Sequence, residues 1–188
     1  MTHFRSRRRG GVQAELPAHA AALLVNLARQ LIELLSDGEV LGRSDQDPLE
    51  AMLDFDAPRE EPADPALLRL LPTAHPGDDE VALEFRRFTE RGLREGKVAD
   101  ATVVLTTVGD LGDEETADIE IELDAQQARA WMRCLTDLRL TLAARLGVEA
   151  DDEERWRGLA ADDPQLPVYE IYGWLGYLLE SLLDVVRR

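Results

Sequence analysis

The sequence predicts a mainly α-helical, single-domain bundle spanning 1–188. A small β element of two or three strands, drawn from the N-terminus and residues 119–123, decorates it. Three observations carry this reading. Long stretches set leucine, valine and aromatic residues at helical spacing. Two short runs, Val12–Leu16 and Ile119–Leu123, alternate apolar and polar residues as half-buried strands do. The 188 residues are 45% hydrophobic, enough to close one core.

Element by element, Gly10 and Gly11 separate an arginine-rich arm (1–11) from Val12–Leu16, which reads as a hairpin. The first helix sets Leu23, Leu24, Leu27, Leu31, Leu34 and Leu35 on one face, and Gly38 is placed to end it. An acidic loop over 37–64 follows, holding ten acids against Arg43 and Arg59 and interrupted by a helical turn at Leu49–Leu53. Pro65–Leu71 is a short helix stopped by Pro72. Asp78 and Asp79 open a helix expected to carry Val81, Phe85 and Phe88 inward. A turn at Glu95-Gly96-Lys97 then leads to residues 98–108, whose β-branched content leaves helix and strand both open and whose spacing favours helix. Residues 110–118 form a second acidic loop, and Ile119–Leu123 is a strand able to pair with Val12–Leu16. Asp124 caps a helix running to Leu146, with Trp131, Cys134, Leu135 and Leu138 inward and Gly147 closing it. The last helix carries Val168, Ile171, Leu175, Leu179 and Leu182, widened by Trp174 and Tyr177. It therefore reads as buried on two sides, centrally or against a partner such as a second copy.

Charge excludes several function classes. Asp and Glu outnumber Lys and Arg 38 to 21, a net charge of −17, so nucleic acid and anionic membranes would repel the bulk of the chain. No transmembrane helix and no cleavable signal are expected, which points to a cytoplasmic protein. A single cysteine excludes a disulfide framework and a cysteine-based zinc site. Phosphate loops, zincin motifs and nucleophile elbows are missing, so the sequence names no catalytic residue, cofactor or metal ligand.

Some residues remain as candidates. Cys134 is the one redox candidate, although its apolar face suits a small core hydrophobe. Trp131, Arg133, Asp137 and Arg139, with Trp174 and Tyr177, mix core and charge as a protein-contact surface does. A helical hairpin over 79–108 could read DNA, with Arg86, Arg87 and Lys97 joined by Arg5, Arg7, Arg8 and Arg9 of the arm. The second helix of that hairpin offers three threonines and no arginine, so a plain hairpin is preferred.

Trp131–Leu140, continuing to Arg145-Leu146-Gly147-Val148, resembles the W…NDLRL…RLG signature of an actinobacterial family long catalogued as a domain of unknown function. Tyr172–Leu182 is similar to its C-terminal signature, and Glu84–Phe88 with Lys97 downstream is similar to its central segment. The resemblance implies a cytoplasmic protein without known enzymatic activity. It also implies oxidative-stress transcriptional control alongside an alternative sigma factor and RNA polymerase, with a cysteine pair sensing oxidant. Here Cys134 stands alone and Thr136 occupies the position of the family asparagine. The expected function is therefore that of a non-enzymatic regulator working by protein contact; direct DNA binding, as a dimer, is the alternative.

Overall fold

The computed structural model describes residues 3–7, 10–36, 62–74, 77–109, 118–149, 155–156 and 158–187. The end of the first helix at Gly38, the helical turn at 49–53, most of both acidic loops, and Arg8 and Arg9 lie outside the described residues.

Strand β1 (Arg5–Ser6) turns through Gly10 and Gly11 into β2 (Val12–Leu16). Both glycines have φ near +85°, where a side chain is strained. A Cβ on Gly11 would also meet the Leu123 carbonyl oxygen at 2.6 Å, so the turn admits only glycine. β3 (Ile119–Leu123) pairs antiparallel with β2, Leu16 opposite Ile119 and Val12 opposite Leu123. The strand order is β1-β2-β3. This is the pairing that the two alternating runs predict. Val12, Ala14, Leu16, Ile121 and Leu123 turn to the core, while Gln13, Glu15, Glu120 and Glu122 face out.

The helices are α1 (Ala18–Ser36), α2 (Pro65–Leu70), α3 (Asp79–Val108), α4 (Ala125–Leu146) and α5 (Leu166–Val186). The Asp124 side chain accepts from the Gln126 and Gln127 amides, and Gln127 reciprocates in a capping box, so α4 starts where its sequence says. Gly147, at φ 67°, ends it. α4 is the hub, packing against α1, α2, α3 and α5. Trp131 fills the centre: it is fully buried, its Nε1–H donates to Thr107 Oγ1 at 2.8 Å, and Phe4 meets it edge-on at 5.8 Å. The Phe4 amide donates to Ser181 Oγ of α5, tying the N-terminus to the last helix. Among the described residues α1 alone is long and apolar enough to cross a membrane. In this fold its Leu24, Ala28, Leu31 and Leu35 are core residues. The buried face is rotated from the all-leucine stripe, with Leu27 and Leu34 at its margin.

α3 departs from the sequence reading twice. First, it runs unbroken for 30 residues through Glu95-Gly96-Lys97, so there is no helical hairpin. A glycine inside a helix costs about 1 kcal/mol relative to alanine, which neighbouring interactions can offset. Here Glu90–Arg94 and Arg91–Glu95 lead into the expected turn at i,i+4 spacing, and Lys97 and Asp100 are pinned to α4. The β-branched end stays helical, its Thr102, Thr106 and Thr107 hydroxyls donating to carbonyls one turn back.

Second, the N-terminal half of α3 is turned over. Val81, Phe85 and Phe88 were expected inside but are exposed, Phe88 by 77%. Ala82, Arg86, Glu90 and Arg94 are buried instead. Glu90 accepts from Arg86 Nη1 at 2.9 Å and from Arg94 Nη2 at 2.8 Å. Arg94 Nη1 donates to the Leu35 carbonyl in the last turn of α1 at 2.7 Å. Arg86 Nη2 donates to the Leu71 carbonyl just past α2 at 3.3 Å. The two arginines thus reach from α3 to a carbonyl of α1 and to one just past α2. Phenylalanines could not.

Removing Glu90 takes away the carboxylate that two buried guanidinium groups share, so Glu90→Ala should destabilise the fold by about 3–5 kcal/mol. Glu95→Ala, which breaks the exposed pair with Arg91, should cost about 0.5 kcal/mol or less. Urea unfolding of the two variants checks this; equal losses would mean that Glu90 is not structurally paired.

Candidate functional site

Two ion pairs cross from α3 to α4 and set the two helices antiparallel. Lys97 Nζ lies 2.6 Å from Asp137 Oδ1. Arg133 grips Asp100 in a fork, Nε and Nη2 each 2.6 Å from a carboxylate oxygen. Above these pairs, α3, α4 and α5 leave an open groove of about 690 Å³ between them. Leu93, Met132, Leu179 and Leu183 make its lining mostly apolar, and Gly92 and Gly96 form one wall. Arg129 stands at its edge, exposed and free of ion pairs among the described residues.

Asp137 is almost wholly buried at the root of the groove. Burial raises its carboxyl pKa above the ordinary value; the hydrogen bond and charge of Lys97 oppose the shift without cancelling it. Beneath it, Cys134 is fully buried. Burial pushes the thiol up to about 12, and the charges of Asp137 and Asp100 add to the shift. A thiol held protonated and out of solvent is a poor nucleophile.

The predicted protein-contact residues separate. Arg133 and Asp137 line the groove. Trp131 is a core residue and is corrected as a contact. Arg139 lies on the α5 side, its guanidinium 4.6 Å from the Tyr172 ring centre and against Gly176, where a Cβ would meet it at 3.2 Å. Trp174 packs on the core margin and Tyr177 is exposed. The DNA candidates fare differently. Arg86 is buried in the α3 triad and Lys97 is held by Asp137, so neither is free to meet a phosphate. Arg87 is half-buried, its Nε unpaired among the described residues. Arg7 pairs with Glu122 at 2.9 Å, and Arg5 stands exposed on β1. Sequence reasoning missed Gly92, Gly96, Met132, Leu179 and Leu183. The legible signal was two glycines four residues apart inside a helical stretch. A second hollow, about 370 Å³ on the outer sheet face, is lined by Arg5, Glu15, Glu120 and Glu122. No group of three or more His, Cys, Asp or Glu among the described residues is placed to hold a metal.

The sequence profile of a family described as a domain of unknown function, DUF2017, matches residues 1–186. The chain belongs to the DUF2017 family. Relatives include the oxidative stress regulator AosR of Mycobacterium bovis and of Mycobacterium tuberculosis, each 31% identical over 188 residues and spanning 93% of this chain and 81% of the relative. A putative oxidative stress regulator AosR of Mycobacterium leprae is 30% identical over 179 residues, spanning 88% of this chain and 77% of the relative. No solved structure gives a significant match.

Two outcomes follow for this DUF2017 protein. Cys134 should react with a thiol reagent slower than the urea-unfolded chain by on the order of 100-fold or more, since reaction requires opening of the α3–α4 core. Equal rates would place the thiol at the surface. Asp137 has a raised pKa in the fold, so the folded state binds its proton more readily than the unfolded state. Its contribution to stability is therefore present at low pH and lost as pH rises from the ordinary carboxylate range through the raised value. The stability difference between the parent and Asp137→Asn, followed by urea unfolding across that range, should fall as pH rises. A difference that grows with pH would contradict the burial-dominated shift.

Proposed function

We propose that this DUF2017 protein is a non-enzymatic regulator of the oxidative-stress response that acts by contacting another protein, with a sigma factor or RNA polymerase as the expected class of target. The names of its relatives support the regulatory role. The observation that carries protein contact is the α3–α4–α5 groove, a mostly apolar concavity with two interhelical ion pairs in its lining. Groove walls tied by Lys97–Asp137 and Arg133–Asp100 are preorganised, which lowers the ordering cost of binding. The acidic composition adds long-range attraction for a basic partner surface. DNA reading by residues 79–108 loses its support, because the segment is one helix and two of its three basic candidates are engaged internally.

Affinity capture of the tagged chain from peroxide-treated native cells, with nuclease present, tests this reading. The expected result is a transcription protein retained after nuclease digestion. Release of every bound partner by nuclease would favour nucleic-acid binding instead.

A further inference from the structure

Gly92 and Gly96 are unexplained by the fold itself. Both are helical, without left-handed φ, and a Cβ built on either meets nothing within 4 Å. Alanine would fit at each and should stabilise α3. Nothing inside the described residues uses the missing side chains. Four residues apart, the two glycines share one face of α3, and that face is a wall of the groove. Bare backbone on a groove wall does one thing well: it lets a second helix approach more closely than side chains permit.

The rest of the groove fits a helix. Leu93, Leu179 and Leu183 give it an apolar lining, and Met132 supplies a side chain that repacks around different knobs. Phosphate chains find little purchase on such a surface. Charge narrows the occupant further. Lys97 and Arg133 are neutralised by their own pairs, which leaves Arg129 at the rim with no partner among the described residues. A second copy is disfavoured, because it would bring together two chains of net charge −17.

We propose that the α3–α4–α5 groove docks one amphipathic helix of a partner protein. That helix packs its backbone against Gly92–Gly96, sets an apolar stripe against Leu93, Met132 and Leu183, and turns a carboxylate toward Arg129. The proposal rests on the protein-contact reading above and names the site and the chemistry of its target.

The test is made on the full chain in its native host. A photo-crosslinking amino acid is placed at Leu93, on the groove, or at Thr102, exposed elsewhere on α3. The crosslinked peptide is then identified by mass spectrometry. Capture is also quantified for the Gly92→Ala/Gly96→Ala double variant and for Arg129→Glu. The expected result is a crosslink from position 93 and not 102, to a segment with an apolar i, i+3, i+4, i+7 pattern and one Asp or Glu placed to meet Arg129. The double alanine variant should melt no lower than the parent yet bind the captured partner at least tenfold more weakly. Arg129→Glu should weaken it similarly, with recovery when the facing acid of the partner is changed to Lys. A crosslink from 93 to another copy of the chain, or to a segment without that pattern, overturns the proposal. So does undiminished binding by the double alanine variant. A partner crosslinked only from 102 removes the groove but keeps protein contact; absence of a nuclease-resistant partner removes both.

Discussion

The buried Arg86–Glu90–Arg94 triad is the interaction on which the rest of this structure depends. One carboxylate, 3% exposed, holds two guanidinium groups, and each guanidinium also donates to a carbonyl at the end of another helix. The triad therefore joins three segments of the chain: α1 at Leu35, the residue just past α2 at Leu71, and the first half of α3. Burying three charges is costly, and a well-packed apolar substitute can match or exceed the stability of such a cluster. What an apolar substitute cannot do is satisfy the Leu35 and Leu71 carbonyls. The triad makes one orientation of α3 the satisfied one.

That orientation determines what the protein shows to its surroundings. With Arg86, Glu90 and Arg94 inside, Phe88 and Leu93 are left outside, and Gly92 and Gly96 face an open channel. Past Gly96 the same helix turns apolar on its inner side, through Ala101, Val104 and Val108. α3 is thus two half-helices in terms of packing, polar-buried then apolar-buried, within one unbroken hydrogen-bond ladder. At the junction, Lys97–Asp137 and Asp100–Arg133 lock it to α4. The residues of that lock line the groove, and Cys134, one turn before Asp137 on α4, is fully buried.

How much of this was legible in the sequence follows from the kind of interaction involved. Local and pairwise-periodic features were readable: the β2–β3 pairing from two alternating runs, the Asp124 and Gly147 caps, and the apolar face of α4 with Trp131 at its centre. The inversion of α3 was not. Val81, Phe85 and Phe88 make a better hydrophobic stripe than Ala82, Arg86, Glu90 and Arg94, and the polar contacts of the triad, including those to the Leu35 and Leu71 carbonyls, go with the opposite choice. Such long-range polar demands have no periodic signature. The missing turn at Glu95-Gly96-Lys97 failed for a related reason, since contacts to α4 outweigh a glycine's weak propensity. Of the site, Arg133 and Asp137 were singled out, while the apolar lining from α5 and the glycine wall depended on how three helices meet.

Polar groups, and not the phenylalanines, face inward from the first half of α3. Thiol labelling reads this directly: in a Cys134→Ala background, cysteine is introduced as Ala82→Cys or as Phe88→Cys, and the native rates are compared with those in urea. Phe88→Cys should react at nearly its unfolded rate, while Ala82→Cys should be protected by on the order of 100-fold or more. Protection at 88 with free reaction at 82 would mean that α3 sits with its hydrophobic stripe inward, and the triad and the groove would both fall with it.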